Sequence, residues 1–125
     1  MELNEALEMY LEEMLLLSKT KPVLRQIEIS QKMGYSRPTI SNMMKKLAQM
    51  GLVELHEDAK VSLTEKGLAI AEDVYEKHRV LTCMLTSLGV DKERAQKEAC
   101  RIEHVISDET LEQIKRHYRI CVDND

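Results

Sequence analysis

Tryptophan and phenylalanine are absent from this 125-residue chain, and four tyrosines are its only aromatic residues. A core without large rings must be built from aliphatic side chains and the eight methionines, which suits packed helices better than a sandwich of sheets. Long apolar runs are also missing. None reaches the ~18–20 residues that a membrane-spanning helix needs, and the longest, near residues 14–17, lies in an acidic amphipathic stretch. No charged-then-apolar leader marks export, so the expectation is a cytoplasmic protein without a membrane partner. The three cysteines form an odd set without framework spacing, which argues against a disulfide scaffold. Internal repeats and low-complexity segments are lacking too, and the length suits one compact domain or two small ones.

What is present is an uneven charge. The formal net charge of −4 speaks against nucleic acid, but its distribution does not. Residues 1–20 hold Glu2, Glu5, Glu8, Glu12 and Glu13 against Lys19. Residues 21–50 hold Lys21, Arg25, Lys32, Arg37, Lys45 and Lys46 against Glu28 alone. A basic segment inside an acidic chain can meet a polyanion while the rest repels it. A solvated helix face would explain the same charges.

Periodicity supplies the elements. Leu3, Leu7, Tyr10, Leu11 and Met14 predict a helix over 3–18. Lys19–Pro22 breaks it, and a short helix follows over 24–33. Gly34 opens a turn, Ser36 is a natural N-cap, and Pro38 fits the first turn of a helix that runs to Met50 and stops at Gly51. Two short runs, 52–55 and 61–63, predict a β-hairpin. Thr64 caps a long helix to Leu88, Asp91 opens another to Ile106, Ser107 opens a last one, and the end, 121–125, reads as frayed. Helix, turn, helix and a two-stranded wing is a DNA-binding plan. On the candidate recognition helix Ile40, Met43, Met44 and Leu47 point inward. Pro38, Asn42, Lys45 and Gln49 point outward, flanked by Thr39, Ser41 and Lys46, with no acid among them. Such a face suits phosphate contacts and base-edge hydrogen bonds.

Residues 100–104 hold a second pattern. Cys100, Glu103 and His104 stand at i, i+3 and i+4, on one side of the 91–106 helix, opposite Ala95, Ala99, Ile102 and Ile106. A small buried cysteine beside two surface residues would give the same spacing. Met9, an unbranched thioether among Glu5, Glu12 and Glu13, is either a chance surface methionine or a fourth donor. Were the first helix to dock there, the S/S/O/N set would suit a borderline divalent ion such as ferrous iron. His78 faces inward with Val74, Leu81 and Leu85, as a core histidine or as a further ligand. A thiol-redox regulator using Cys100 with Cys83 or Cys121 is an alternative. A Cys–His enzyme is not expected, because no oxyanion hole or small-molecule pocket is suggested.

Taken in order, EMYL (8–11), GYSRPTISNMMKKLAQMGLV (34–53), LTEKGLAIAEDVYEKHR (63–79) and EACRIEHVISDE (98–109) resemble the diphtheria toxin repressor family of metal-dependent transcriptional regulators. The resemblance covers about residues 3–118. It implies a mainly α fold: a winged helix-turn-helix DNA-binding domain, residues 1–66, then an all-helical metal-binding and dimerisation domain, residues 67–125. It implies a homodimer that represses metal-homeostasis genes at a palindromic operator in double-stranded DNA. Met9, Cys100, Glu103 and His104 match the main site of iron-type members, whereas manganese-type members carry carboxylates in place of Met9 and Cys100. Fe²⁺ is therefore the expected ion and Mn²⁺ the next, with Co²⁺, Ni²⁺ or Zn²⁺ able to substitute in vitro. His78 matches one ligand of the second site of iron-type members, but Thr82 and Gln96 stand where those members have an acid and a histidine, and Glu12 stands where manganese-type members carry a carboxylate ligand; a second ion at Glu12 and His78 is the expectation that follows. A two-domain form lacking the SH3-like third domain is expected. DNA contact is expected from Ser36, Arg37, Pro38, Thr39, Ser41, Asn42, Lys45 and Lys46.

Overall fold

The computed structural model describes residues 5–118. Leu3 and Cys121, and the carboxy-terminal stretch read as frayed, lie outside them. The elements are α1 (Glu5–Ser18), β1 (Leu24–Arg25), α2 (Gln26–Met33), α3 (Arg37–Gln49), β2 (Val53–His56), β3 (Lys60–Leu63), α4 (Glu65–Ser87), α5 (Lys92–Ile102) and α6 (Asp108–His117). Among the described residues no helix is long and apolar enough to cross a membrane. The chain divides into two compact units, Met1–Glu72 and Asp73–Asp125.

The first unit is a winged helix-turn-helix. Leu7, Tyr10, Leu11, Met14 and Leu15 form the buried stripe of α1, and Ile29, Ile40, Met44 and Leu47 are buried on α2 and α3. Gly34 ends α2 with φ 74°, a left-handed conformation that a side chain would resist. Ser36 caps α3 by accepting a hydrogen bond from the Thr39 amide. The wing differs from the expected two-stranded hairpin, because a third strand joins it in the order β1-β3-β2. Leu24 and Arg25, expected to begin a helix, pair with Val61 and Lys60 instead. Leu24 reaches the core through the sheet, so tertiary pairing overrides the helical pattern that follows it. The wing turn holds Asp58 and Ala59 at φ 59° and 56°, and the Gln26 amide clamps it by donating to the Ala59 carbonyl at 2.9 Å.

Thr64 joins the wing to α4. Its hydroxyl donates to the Gly51 carbonyl at 2.7 Å and accepts from the Gly67 amide at 3.1 Å. Gly67 lies so close to the wing that a Cβ there would stand 2.0 Å from the Leu52 carbonyl oxygen.

In the second unit Val74, Val80 and Leu81 of α4, Ala95 and Ala99 of α5 and Leu111 of α6 are buried. Asp91 caps α5 and Ser107 caps α6. The helix expected over 91–106 ends at Ile102, where the Val105 and Ile106 amides both donate to the Ile102 carbonyl, at 3.0 and 3.2 Å. The tightened turn leaves residues 103–107 as a short connection into α6. No glycine marks this stop, which is why periodicity carried the helix too far.

Candidate functional site

The carboxylate of Glu103 is the centre of the second unit. Glu103 is the C-cap of α5 and keeps right-handed helical angles, φ −57° and ψ −24°. The i, i+3, i+4 relation of Cys100, Glu103 and His104 therefore survives although the helix has ended. One donor atom from each lies within 4.8 Å of the other two. Their setting differs from the expected outward face: Glu103 is 1% exposed, the His104 side chain is covered, and Cys100 is half-buried. His78 of α4 brings Nδ1 to 3.5 Å from Glu103 Oε2, while His104 Nε2 lies 3.6 Å from Glu103 Oε1.

A carboxylate taken out of water costs several kcal/mol, on the order of that for any buried ion, unless a partner offsets it. Among the described residues neither Glu103 oxygen accepts a hydrogen bond. Two acceptor oxygens, imidazoles on either side and a thiol within the same few ångströms fit a divalent cation: hard oxygen, borderline nitrogen and soft sulfur together suit first-row ions. Fold and chemistry converge here, because Glu103 lies one helical turn beyond Ala99 and continues the buried face of α5.

Met9 is half-buried and Glu12 is buried, one turn apart on α1 in the first unit. Thr82, one turn after His78, has a covered hydroxyl that finds no hydrogen-bond partner among the described residues, and Gln96 is exposed. Neither side chain restores the acid or the histidine of an iron-type second site. Cys83 is half-buried, and Cys121 is outside the described residues.

The other candidate surface is α3. Arg37, Pro38, Asn42 and Lys45 are exposed and Ser41 and Lys46 half-buried, while Ile40, Met44 and Leu47 anchor the opposite side. Ser36 and Thr39 are exposed, but their hydroxyls share a 2.8 Å hydrogen bond within the cap. That leaves Arg37, Asn42, Gln49 and the lysines as the helix's longer outward polar groups. Beside them lies a concavity of about 280 Å³ lined by Gln26, Arg37, Pro38, Ser41 and Ala59. Gln26 and Ala59 had no signal in the sequence, because the wing turn contains no glycine and the strand before α2 is only two residues long.

Comparison with known proteins adds to this geometry. Residues 2–61 match the model for the iron dependent repressor N-terminal DNA binding domain. Residues 64–119 match that for the iron dependent repressor metal binding and dimerisation domain. An uncharacterized HTH-type transcriptional regulator of Methanocaldococcus jannaschii is 34% identical over 116 residues, which cover 90% of this chain and 92% of that protein. The diphtheria toxin repressor of Corynebacterium efficiens is 35% identical over 109 residues, 86% of this chain and 47% of that one. The structure of the manganese regulator SloR superposes with a TM-score of 0.77 at 32% identity, covering 94% of this chain and 54% of that one. The chain thus spans about half the length of the latter two.

Proposed function

The chain belongs to the iron-dependent repressor family, a family of transcriptional repressors rather than enzymes, and from that premise we propose that it is a DNA-binding repressor that senses a divalent metal, ferrous iron first, and controls metal-homeostasis genes in the cytoplasm. Residues 1–66 would bind DNA, and residues 67–125 would bind metal and pair two chains. Cys100, Glu103 and His104 would hold the ion, with Met9 adding a thioether from α1. Glu12 and His78 would serve a second ion. The observation that carries the reading is the buried Glu103 carboxylate, with imidazole nitrogens on both sides and the Cys100 thiol in reach.

The ion would supply positive charge and shared coordination. This chain's own groups do the rest. Glu103 presents two acceptor oxygens without needing to move through water. Metal capture needs a Cys100 thiolate and a neutral His104, so acid weakens it. Arg37, Pro38, Ser41, Asn42, Lys45 and Lys46 would meet a duplex, with Ser36 and Thr39 fixing the leading end of α3. In a two-fold dimer the two recognition helices would address half-sites ~34–36 Å apart in a palindromic operator. Tying the affinity for DNA to that for metal is reciprocal linkage, in which each ligand favours the conformation the other prefers.

A manganese-responsive regulator is the second reading. It is favoured by the buried carboxylate of Glu12 and by the likeness to a manganese regulator, and opposed by the two sulfur donors. Anisotropy of duplexes selected from a random pool by the metal-loaded protein tests both. Under anaerobic conditions Fe²⁺ should raise affinity at lower concentration than Mn²⁺, and Cys100→Ala should abolish the rise while leaving the dimer intact. Unchanged activation in Cys100→Ala overturns the ligand assignment. Binding restored by reductant after chelation, with no metal added, would favour the thiol-redox alternative.

A further inference from the structure

The ion pairs of the second unit single out one residue that neither the helical pattern nor the donor set explains. The side chain of Lys77 is 13% exposed, an unusual position for a long cation that gives up both hydration and rotamer freedom when covered. Two carboxylates compensate it. Asp73, one turn back on α4, lies 3.4 Å from its Nζ, and Asp108 lies 3.3 Å away. Asp108 is the first residue of α6, four residues beyond His104.

That position gives the pair a specific consequence. Residues 103–107 form a five-residue connection, pinned at one end where the Glu103 amide donates to the Ala99 carbonyl at 2.9 Å. Its other end is fixed where Asp108 meets Lys77. With both ends held, a segment this short has little freedom, and Glu103 and His104 are on it. The residue after Lys77 on the same helix is His78, whose ring faces Glu103 at 3.5 Å. Adjacent residues of α4 thus face the two ends of one connection. We infer that Lys77 is a positioning residue of the metal-binding unit: by clasping Asp108 it holds the turn that carries Glu103 and His104 at the distance from α4 where their donor atoms converge. This rests on the reading of Glu103 and His104 as metal ligands.

The structure also contains an internal control. Lys115, near the far end of α6, contacts Glu76 of α4 and Glu112 of its own helix at 3.4 Å. It ties the same two helices together but not at the turn. Loss of the Lys115 clasp loosens α6, whereas loss of the Lys77 clasp loosens the donor segment.

The test is calorimetric titration of the full chain with Co²⁺, with thermal unfolding of the metal-free protein measured alongside. Lys77→Met should weaken Co²⁺ binding about tenfold, as loss of a supporting contact around a metal site does. Lys77→Arg should recover most of the affinity. Lys115→Met should lower the unfolding temperature comparably yet change Co²⁺ affinity less than twofold. Asp108→Asn removes the pair from its 84%-exposed side and keeps the test open if Lys77→Met fails to fold. It should reproduce the loss, and the double variant should be no worse than either single one. Glu103→Gln separates the two levels. If it too leaves Co²⁺ affinity unchanged, the ligand reading itself fails. If Glu103→Gln abolishes binding but Asp108→Asn changes it less than twofold, the Lys77 inference fails alone. Equal weakening by Lys77→Met and Lys115→Met would also overturn it, since the clasp would then act only by docking α6.

Discussion

The two units solve opposite problems with similar helices. In the unit up to Glu72 the proposed DNA-contact helix is exposed on one side and apolar on the other: Ile40, Met44 and Leu47 are covered while Arg37, Asn42 and Lys45 face outward, although Glu12 on α1 is covered as well. In the unit from Asp73 the proposed ligand Glu103 is itself buried, a carboxylate at 1% exposure, and lysines tie the helices through Asp108 and Glu76. The covered side of α3 carries no charge that a ligand would have to offset. In the second unit, on the proposed reading, a cation would offset the cost of covering the Glu103 carboxylate, which would link stability to metal binding.

The sharpest break between them should come from Gly67→Ala. The added Cβ would fall 2.0 Å from the Leu52 carbonyl, and forcing that contact apart should destabilise the first unit by about 3 kcal/mol, as overpacking does. Urea unfolding followed by tyrosine fluorescence and circular dichroism reads it. A neutral result would mean that α4 does not seat tightly on the wing.

Next in size is Glu103→Gln. At a hundredfold excess over Kd a bound ion stabilises by about 2.7 kcal/mol, and this variant should lose that gain while its metal-free form stays as stable as the parent or becomes more so. A metal-free form strongly destabilised by Glu103→Gln would show that the carboxylate is structural and erase the contrast between the units.

Lys45→Ala should act on the other side of the comparison only. It should lower the slope of log affinity for duplex DNA against log salt by about 0.9, the share of one phosphate contact, with no change in metal affinity. An unchanged slope would place Lys45 outside the interface.

The smallest effect is an opposition in pH. The contact with Glu76 outweighs burial and holds the Lys115 ammonium above its usual pKa. Its contribution is therefore present below about pH 10.4 and is lost as pH rises through the higher folded value. In the first unit the Lys21 ammonium, 2.8 Å from Glu28, pulls that carboxyl below its usual pKa despite some desolvation. Its contribution is present above about pH 4.3 and is lost as pH falls through the lower folded value. Lys115→Met should flatten the alkaline limb of stability and Glu28→Gln the acid limb.

Much of the architecture was legible in the sequence because local chemistry and fold agree there. Ser36, Asp91 and Ser107 cap the helices their positions announce, and the runs around residues 52–63 do pair as strands. What stayed hidden depends on distant partners. Leu24 and Arg25 become a strand only because β3 offers them a ladder. The α5 helix stops at Ile102 in a tightened turn where the Val105 and Ile106 amides share the Ile102 carbonyl, and no residue type signals that. In the candidate site the spacing of Cys100, Glu103 and His104 could be read directly. Burial of Glu103 and the clasp of Lys77 on Asp108 could not, since each depends on how α4, α5 and α6 pack.

The central claim, that Cys100, Glu103 and His104 hold a divalent ion, is tested most directly by anaerobic titration with Co²⁺ followed by absorption spectroscopy. The account predicts a thiolate-to-cobalt charge-transfer band that grows with added Co²⁺ until the site is full and vanishes in Cys100→Ser. A band that never appears, or one that persists unchanged in Cys100→Ser, would contradict it.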